Sequence, residues 1–84
     1  MTELLDPPQP VEVELDDTGR PRQVRGAPFT GPARVVQRWI VEVDWWTSEP
    51  VAHECWLVVL REQLMCVIYR DRAGGTWYVE RVYD

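Results

Sequence analysis

Apolar and acidic residues alternate strictly over Val11-Glu12-Val13-Glu14-Leu15, which predicts a β-strand with one buried and one wet face. Asp16-Asp17-Thr18-Gly19 reads as a turn: Asp and Thr side chains bond nearby backbone, and Gly accepts positive φ. Pro21-Arg22-Gln23-Val24-Arg25 then reads as the return strand of a hairpin, setting Glu12 and Glu14 across from Arg22 and Arg25. Residues 26–32 hold two Gly and two Pro and form a loop. Residues 34–46 form a long strand. Val35, Trp39, Val41, Val43 and Trp45 make its apolar face, and Arg38, Glu42 and Asp44 its wet face. Ile40 and Trp46 break that alternation, the mark of a second contact surface, a bulge or a sharp bend.

Thr47-Ser48-Glu49-Pro50 is a turn, and residues 53–61 form a strand apolar on both faces, hence central. Arg61-Glu62-Gln63 turns the chain into Leu64–Arg70, again apolar on both sides. Residues 71–75, ending Gly74-Gly75, make a hairpin turn into a last strand over 76–83. Residues 54–69 are apolar enough for a buried helix, but their β-branched and aromatic content and the flanking turns favour strands. The expected fold is all-β, an antiparallel meander of about six strands forming a small SH3-like barrel or a strongly twisted sheet. One domain spans residues 11–84, with an N-terminal hairpin over 11–25 and an aromatic-rich meander over 34–84. Pro7, Pro8 and Pro10 mark residues 1–10 as a flexible, extended tail.

Length sharpens this picture. A chain of 84 residues has room for one domain and buries only about 60% of its unfolded surface, so its core is thin. Five Trp, three Tyr and one Phe compensate, because each aromatic side chain buries about 150–250 Å². By parity Trp39, Trp45, Trp56 and Trp77 belong to the core. Trp46, Tyr78 and Tyr83 fall on the opposite parity and form a candidate exposed patch. With Arg38 they make a candidate partner-binding set, because aromatics beside arginine are the usual anchors of protein interfaces.

The net charge is −5, unevenly placed. Residues 1–19 carry six acids and no base, and residues 20–38 carry five arginines and no acid. The acidic total argues against tight non-specific nucleic-acid binding, which rests on phosphate neutralisation. The arginine stretch is the local exception. Arg20, Arg22, Arg25 and Arg34 are therefore the candidates for an alternative, a single-stranded nucleic-acid-binding barrel that stacks bases on its aromatics. Asp44, Glu49, Glu80 and Asp84 near those aromatics would repel phosphate. A homodimer through an edge strand, either Val11–Leu15 or the last strand, is a third reading.

Candidate chemistry is sparse. His53, Glu54, Cys55 and Cys66 lack the paired Cys-x-x-Cys spacing of a zinc ribbon, so neither a metal nor a cofactor is expected. Cys55 lies in an apolar run that does not favour a reactive thiolate, and Gly74-Gly75 joins strands and opens no phosphate-binding helix. The expectation is a non-enzyme. Residues 1–6 have neither a basic region nor an apolar run, and no stretch reaches the ~20 apolar residues of a membrane span. Both observations point to a cytoplasmic protein with reduced cysteines.

A further pattern runs from residue 38 onward: Arg38-Trp39, Asp44-Trp45-Trp46, Glu49-Pro50-Val51, Tyr69-Arg70-Asp71, Gly74-Gly75, and Trp77-Tyr78-Val79-Glu80-Arg81-Val82-Tyr83-Asp84. This resembles a small bacterial domain family of unassigned function that occurs as stand-alone proteins. A similar segment ends the catalytically inactive Y-family polymerase subunit of the bacterial damage-inducible mutagenesis cassette. The resemblance covers a little over half the chain and brings no catalytic residues. It implies an adaptor that contacts a polymerase or repair protein, acting in trans because the polymerase body is missing from this chain.

Overall fold

The alternating run at residues 11–15 is one end of a much longer strand. In the computed structural model, which describes residues 2–43, 51–71 and 75–83, strand β1 is Thr2–Leu15. It is followed by β2 (Pro21–Arg25), β3 (Gly31–Val43), β4 (Val51–Leu60), β5 (Leu64–Arg70) and β6 (Trp77–Tyr83). Each strand pairs antiparallel with the next, and β6 returns to pair with β1, so the meander closes into a ring. The all-β fold expected from the alternation is the fold observed.

Closure works because β1 and β3 each change partners along their length. Residues 2–11 of β1 include the pairs with β6, whereas Glu12–Leu15 pair with β2. On β3, Gly31 and Pro32 pair with β2 and Ala33–Val43 with β4. A five-stranded sheet, β1-β6-β5-β4-β3, thus shares its two outer strands with a small sheet, β1-β2-β3. Strands that turn a corner in this way let two sheets enclose one core. That core holds Val11, Val24, Phe29, Trp56, Val58, Leu60, Cys66, Ile68, Trp77 and Val79.

The N-terminal tail expected over residues 1–10 is instead largely strand. Thr2–Leu4 pair with Arg81–Tyr83, and Gln9–Val11 pair with Trp77–Val79. Leu5-Asp6-Pro7-Pro8 spans the irregularity between these segments, where no ladder bond is demanded of a proline nitrogen. Pro10 sits where β1 is the outer strand of the large sheet, the position at which a sheet tolerates proline.

Two bulges reset the faces. On β3, Val36 is the extra residue between Val35, opposite Val58, and Gln37, opposite Leu57. Before it, Ala33 and Val35 pack on the core. After it, Arg38 shares a face with the buried Trp56, and Trp39 and Val41 face outward beside Cys55 and His53. The single apolar face expected for Val35, Trp39 and Val41 is therefore divided, and Trp39 is not a core residue. A bulge turns every later side chain over. On β6, Glu80 is the extra residue, so Val79 and Val82 both meet the core while Tyr78, Arg81 and Tyr83 all face outward.

The hairpin turn is tied by Asp16, whose carboxylate accepts from Thr18 N at 2.8 Å, Thr18 Oγ1 at 2.7 Å and Arg20 N at 3.0 Å. At the next corner the chain needs glycine. Gly26 has φ +153°, and a Cβ there would lie 2.8 Å from Val11 Cγ1 and 3.3 Å from Val11 Cα. Val11 stands where β1 leaves β6 for β2, so its backbone cannot retreat without opening the corner. Gly26→Ala should therefore cost about 2 kcal/mol or more in urea unfolding. Gly19→Asn is expected to change stability little, because no atom lies within 4 Å of an added Cβ there and Asn tolerates its φ of +85°.

Candidate partner-binding face

The outer side of the large sheet is not uniformly wet. Cys55, Leu57 and Val59 of β4, and Met65, Val67 and Tyr69 of β5, alternate with the core residues and face away from the core. Tyr78, Arg81 and Tyr83 of β6 stand opposite Tyr69, Val67 and Met65 on this same side. Trp39 and Val41 of β3 complete it, opposite Cys55 and His53.

Strand pairing builds an aromatic ladder here. The His53 ring stacks on Tyr69 with centroids 4.8 Å apart and planes at 12°. Tyr69 stacks in turn on its cross-strand partner Tyr78 at 5.4 Å and 25°. Burial, reinforced by Tyr78 and Glu80, pushes the Tyr69 phenol above its ordinary value.

Two hollows mark the same face. One, of about 220 Å³, is lined by Trp39, Val41, Val67, Glu80, Arg81 and Tyr83. The other, of about 280 Å³, is lined by Pro8, Val41, His53, Cys55, Tyr69 and Glu80. Val41 and Glu80 belong to both, so the hollows read as one groove. Its floor is dry: Val67 is 1% exposed although it points away from the core. Its rims are not, since Val41 is 39% and Tyr83 36% exposed. Its charge pair among the described residues, Arg81 with Glu80 at 3.0 Å, is internally matched and raises the Arg81 pKa.

The residues proposed from sequence are thus divided. Tyr78 and Tyr83 share the groove face. Arg38 lies on the opposite side of β3, the side it shares with Trp56 of β4. There Arg38, Ile40, Glu54 and Arg70 line a cleft of about 440 Å³. The Arg38 guanidinium is 5.3 Å from the ring centre of buried Trp56 and 2.6 Å from a Glu54 carboxylate oxygen. Arg70 sits 6.0 Å over Trp77. Cation–π contacts of this kind hold the two guanidinium groups over the core tryptophans. Trp45 and Trp46 lie outside the described residues. Parity alone missed Trp39, Val41 and Tyr69 as surface residues; the broken alternation at Ile40 was the sequence's trace of the Val36 bulge.

The arginine run has no acid of its own, yet the fold supplies them. Glu14 binds both Arg22 and Arg25, the latter at 3.4 Å. Glu62 takes Arg34 in a forked pair at 2.8 to 3.1 Å. The Arg22 hydrogen bond holds Glu14 below the usual carboxylate range, and the Arg34 hydrogen bond does the same for Glu62. Of the four candidates for phosphate contact, Arg20 alone has no ion pair among the described residues.

The cysteines are free and buried, and they occupy opposite faces. Cys66 is in the core, whereas Cys55 stands under the groove with its thiol donating to the His53 carbonyl at 3.8 Å. Burial pushes both thiols up to about 11. No group of three or more metal-ligating side chains occurs among the described residues. Likewise, no helix among them is long and apolar enough to cross a membrane. Comparison with known proteins finds no matching family model, no matching curated protein and no matching solved structure.

A thiol-specific disulfide reagent should label neither cysteine of the folded protein at pH 8 and both after denaturation. A thiol whose folded pKa is raised favours folding below its unfolded pKa, and this contribution is lost as pH climbs toward the folded value. Conformational stability should accordingly fall as pH rises from about 9 toward 11, the window between the two thiol values. A constant unfolding midpoint across that range would refute the assignment.

Proposed function

We propose that this chain is a non-catalytic protein-interaction module, an adaptor connected with translesion synthesis or DNA repair. The observation that carries the binding role is the outward groove: a dry floor at Val67, half-exposed rims at Val41 and Tyr83, and a stacked aromatic wall at His53, Tyr69 and Tyr78. Apolar grooves with an aromatic wall and few charges suit a protein segment, because anchors gain most where water is excluded. The connection with repair rests on the resemblance of residues 38–84 to the end of the inactive polymerase-like subunit.

The single-stranded nucleic-acid reading has less support. Three of its four arginines are already matched by Glu14 and Glu62, and Glu80 lines both hollows of the groove. Oligonucleotide binding needs cations free to displace counterions.

Capture of partners from cells exposed to DNA-damaging agents tests the proposal. The wild-type chain should retain a polymerase or recombinase-like protein, and both Tyr83→Ala and Val41→Asp should lose it while remaining folded. Retention by both variants, or no partner above background, would refute the assignment of the groove. Fluorescence anisotropy with a labelled oligonucleotide is expected to show no binding at about 50 mM salt, where phosphate contacts are favoured. Tight, steeply salt-dependent binding would instead establish the nucleic-acid reading.

A further inference from the structure

On the core side of the large sheet, two neighbouring rows of side chains run across the strands. Ile40 of β3, Glu54 of β4, Arg70 of β5 and Trp77 of β6 are successive cross-strand partners and make one row. Arg38, Trp56, Ile68 and Val79 make the other. Trp56, Ile68, Trp77 and Val79 are buried. The remaining four, Arg38, Ile40, Glu54 and Arg70, line the cleft of about 440 Å³. Roughly 300–1,000 Å³ is the usual size of a small-ligand site.

Charge in this cleft does not cancel. Glu54 stands opposite Arg70 in the β4–β5 register, yet its carboxylate is taken by Arg38 at 2.6 Å. Arg22, Arg25, Arg34, Arg38 and Arg81 all have carboxylate partners, whereas Arg70 has no ion pair among the described residues. Two guanidinium groups and one carboxylate therefore leave one positive charge in excess, in a chain whose total is −5. Both guanidinium groups are held in place, Arg38 at 5.3 Å from the centre of Trp56 and Arg70 at 6.0 Å from that of Trp77. A donor that is already ordered loses less freedom on binding. Beside the cations, Ile40 is 55% exposed and gives the cleft an apolar wall.

A guanidinium is planar, and its paired N–H groups match the two oxygens of a carboxylate. A single positive charge in excess balances a monoanion. A dianion would leave a negative charge uncompensated beside Glu54. We propose that this cleft binds an organic monocarboxylate, with its carboxylate in the fork of Arg70 and its apolar body against Ile40. The Arg38–Glu54 pair stays in place, and Glu54 sets the charge limit by repelling a second negative charge. This site lies on the side of the sheet away from the aromatic groove, so it does not rest on the protein-interaction reading.

Benzoate is a suitable probe, being a rigid monocarboxylate with an apolar body, and benzamide is its neutral counterpart. The readout is the indole N–H resonances in proton–nitrogen NMR spectra at pH 8 and about 50 mM salt, where charge contacts are little screened. Benzoate should shift the Trp56 and Trp77 resonances saturably, with a dissociation constant of about 1 mM. Trp39, on the other side of β3, should stay unmoved. The Trp56 N–H is buried with no acceptor among the described residues, so its resonance follows the guanidinium over its ring. Benzamide and inorganic phosphate should each bind about tenfold more weakly than benzoate, or worse. Arg70→Gln should weaken benzoate about tenfold, and Arg70→Lys about threefold or more, because lysine keeps the charge and loses the fork. Glu54→Gln should strengthen phosphate binding about tenfold by removing the charge limit. Circular dichroism verifies folding, and Arg70→Lys decides should Arg70→Gln fail to fold. No saturable shift of Trp56 or Trp77 by about 20 mM benzoate overturns the proposal. So does equal binding of benzamide, a shift confined to Trp39, affinity indifferent to both Arg70 variants, or phosphate binding indifferent to Glu54→Gln.

Discussion

Two strands of this small protein each serve two sheets, and everything else depends on that sharing. A chain of 84 residues has only a thin core to enclose, and sharing strands between two sheets lets it do so with six. By turning β1 from β6 to β2 at Val11, and β3 from β2 to β4 after Pro32, the fold lets five strands and three strands face each other. The corner at Val11 is tight enough to require glycine at position 26. Trp56 and Trp77 then fill the interior that short aliphatic side chains would leave empty.

The same sharing creates the surfaces on which function is proposed. A strand that leaves one sheet for another must end its first ladder, so beyond Pro32 no described strand pairs with β3 on the side that β2 leaves. The bulge at Val36 turns Trp39 and Val41 away from the core. The bulge at Glu80 likewise brings Tyr78 and Tyr83 to one side. Glu80 itself lines the groove, whose walls come from β3 on one side and β6 on the other. Bulges that re-aim side chains near a binding surface are a recurrent use of the irregularity.

Charge follows a different logic. Along the chain, acids and arginines are segregated into blocks; in space, β-pairing interleaves them. The hairpin sets Glu14 between Arg22 and Arg25, and Glu62, from the β4–β5 turn, reaches Arg34. These pairs are exposed and contribute little to stability. Their consequence is electrostatic: they remove most of the positive stripe that a phosphate backbone would need, leaving the aromatic face as the more distinctive feature.

Alternation in Val11–Leu15, the Asp16–Gly19 turn and the two-sided apolar runs of β4 and β5 were enough to establish an all-β meander. They also placed Trp56 and Trp77 in the core, because a two-residue period and local turn chemistry are encoded within a few positions. The sequence could not show that Thr2–Pro10 is a strand, since the strand it pairs with is β6, some seventy residues later. Nor could it divide Val35 from Trp39. A bulge is a relation between two strands, and Val36 becomes the extra residue only when β4 lies alongside. The candidate site divides in the same way. Tyr78 and Tyr83 were legible as outward aromatics, but their grouping with Trp39, Val41 and Tyr69, and the removal of Arg38 to the face of Trp56, were decided by register. Sequence determined which segments would be strands; tertiary pairing determined which side of each strand is surface, because a shift of one residue exchanges the faces.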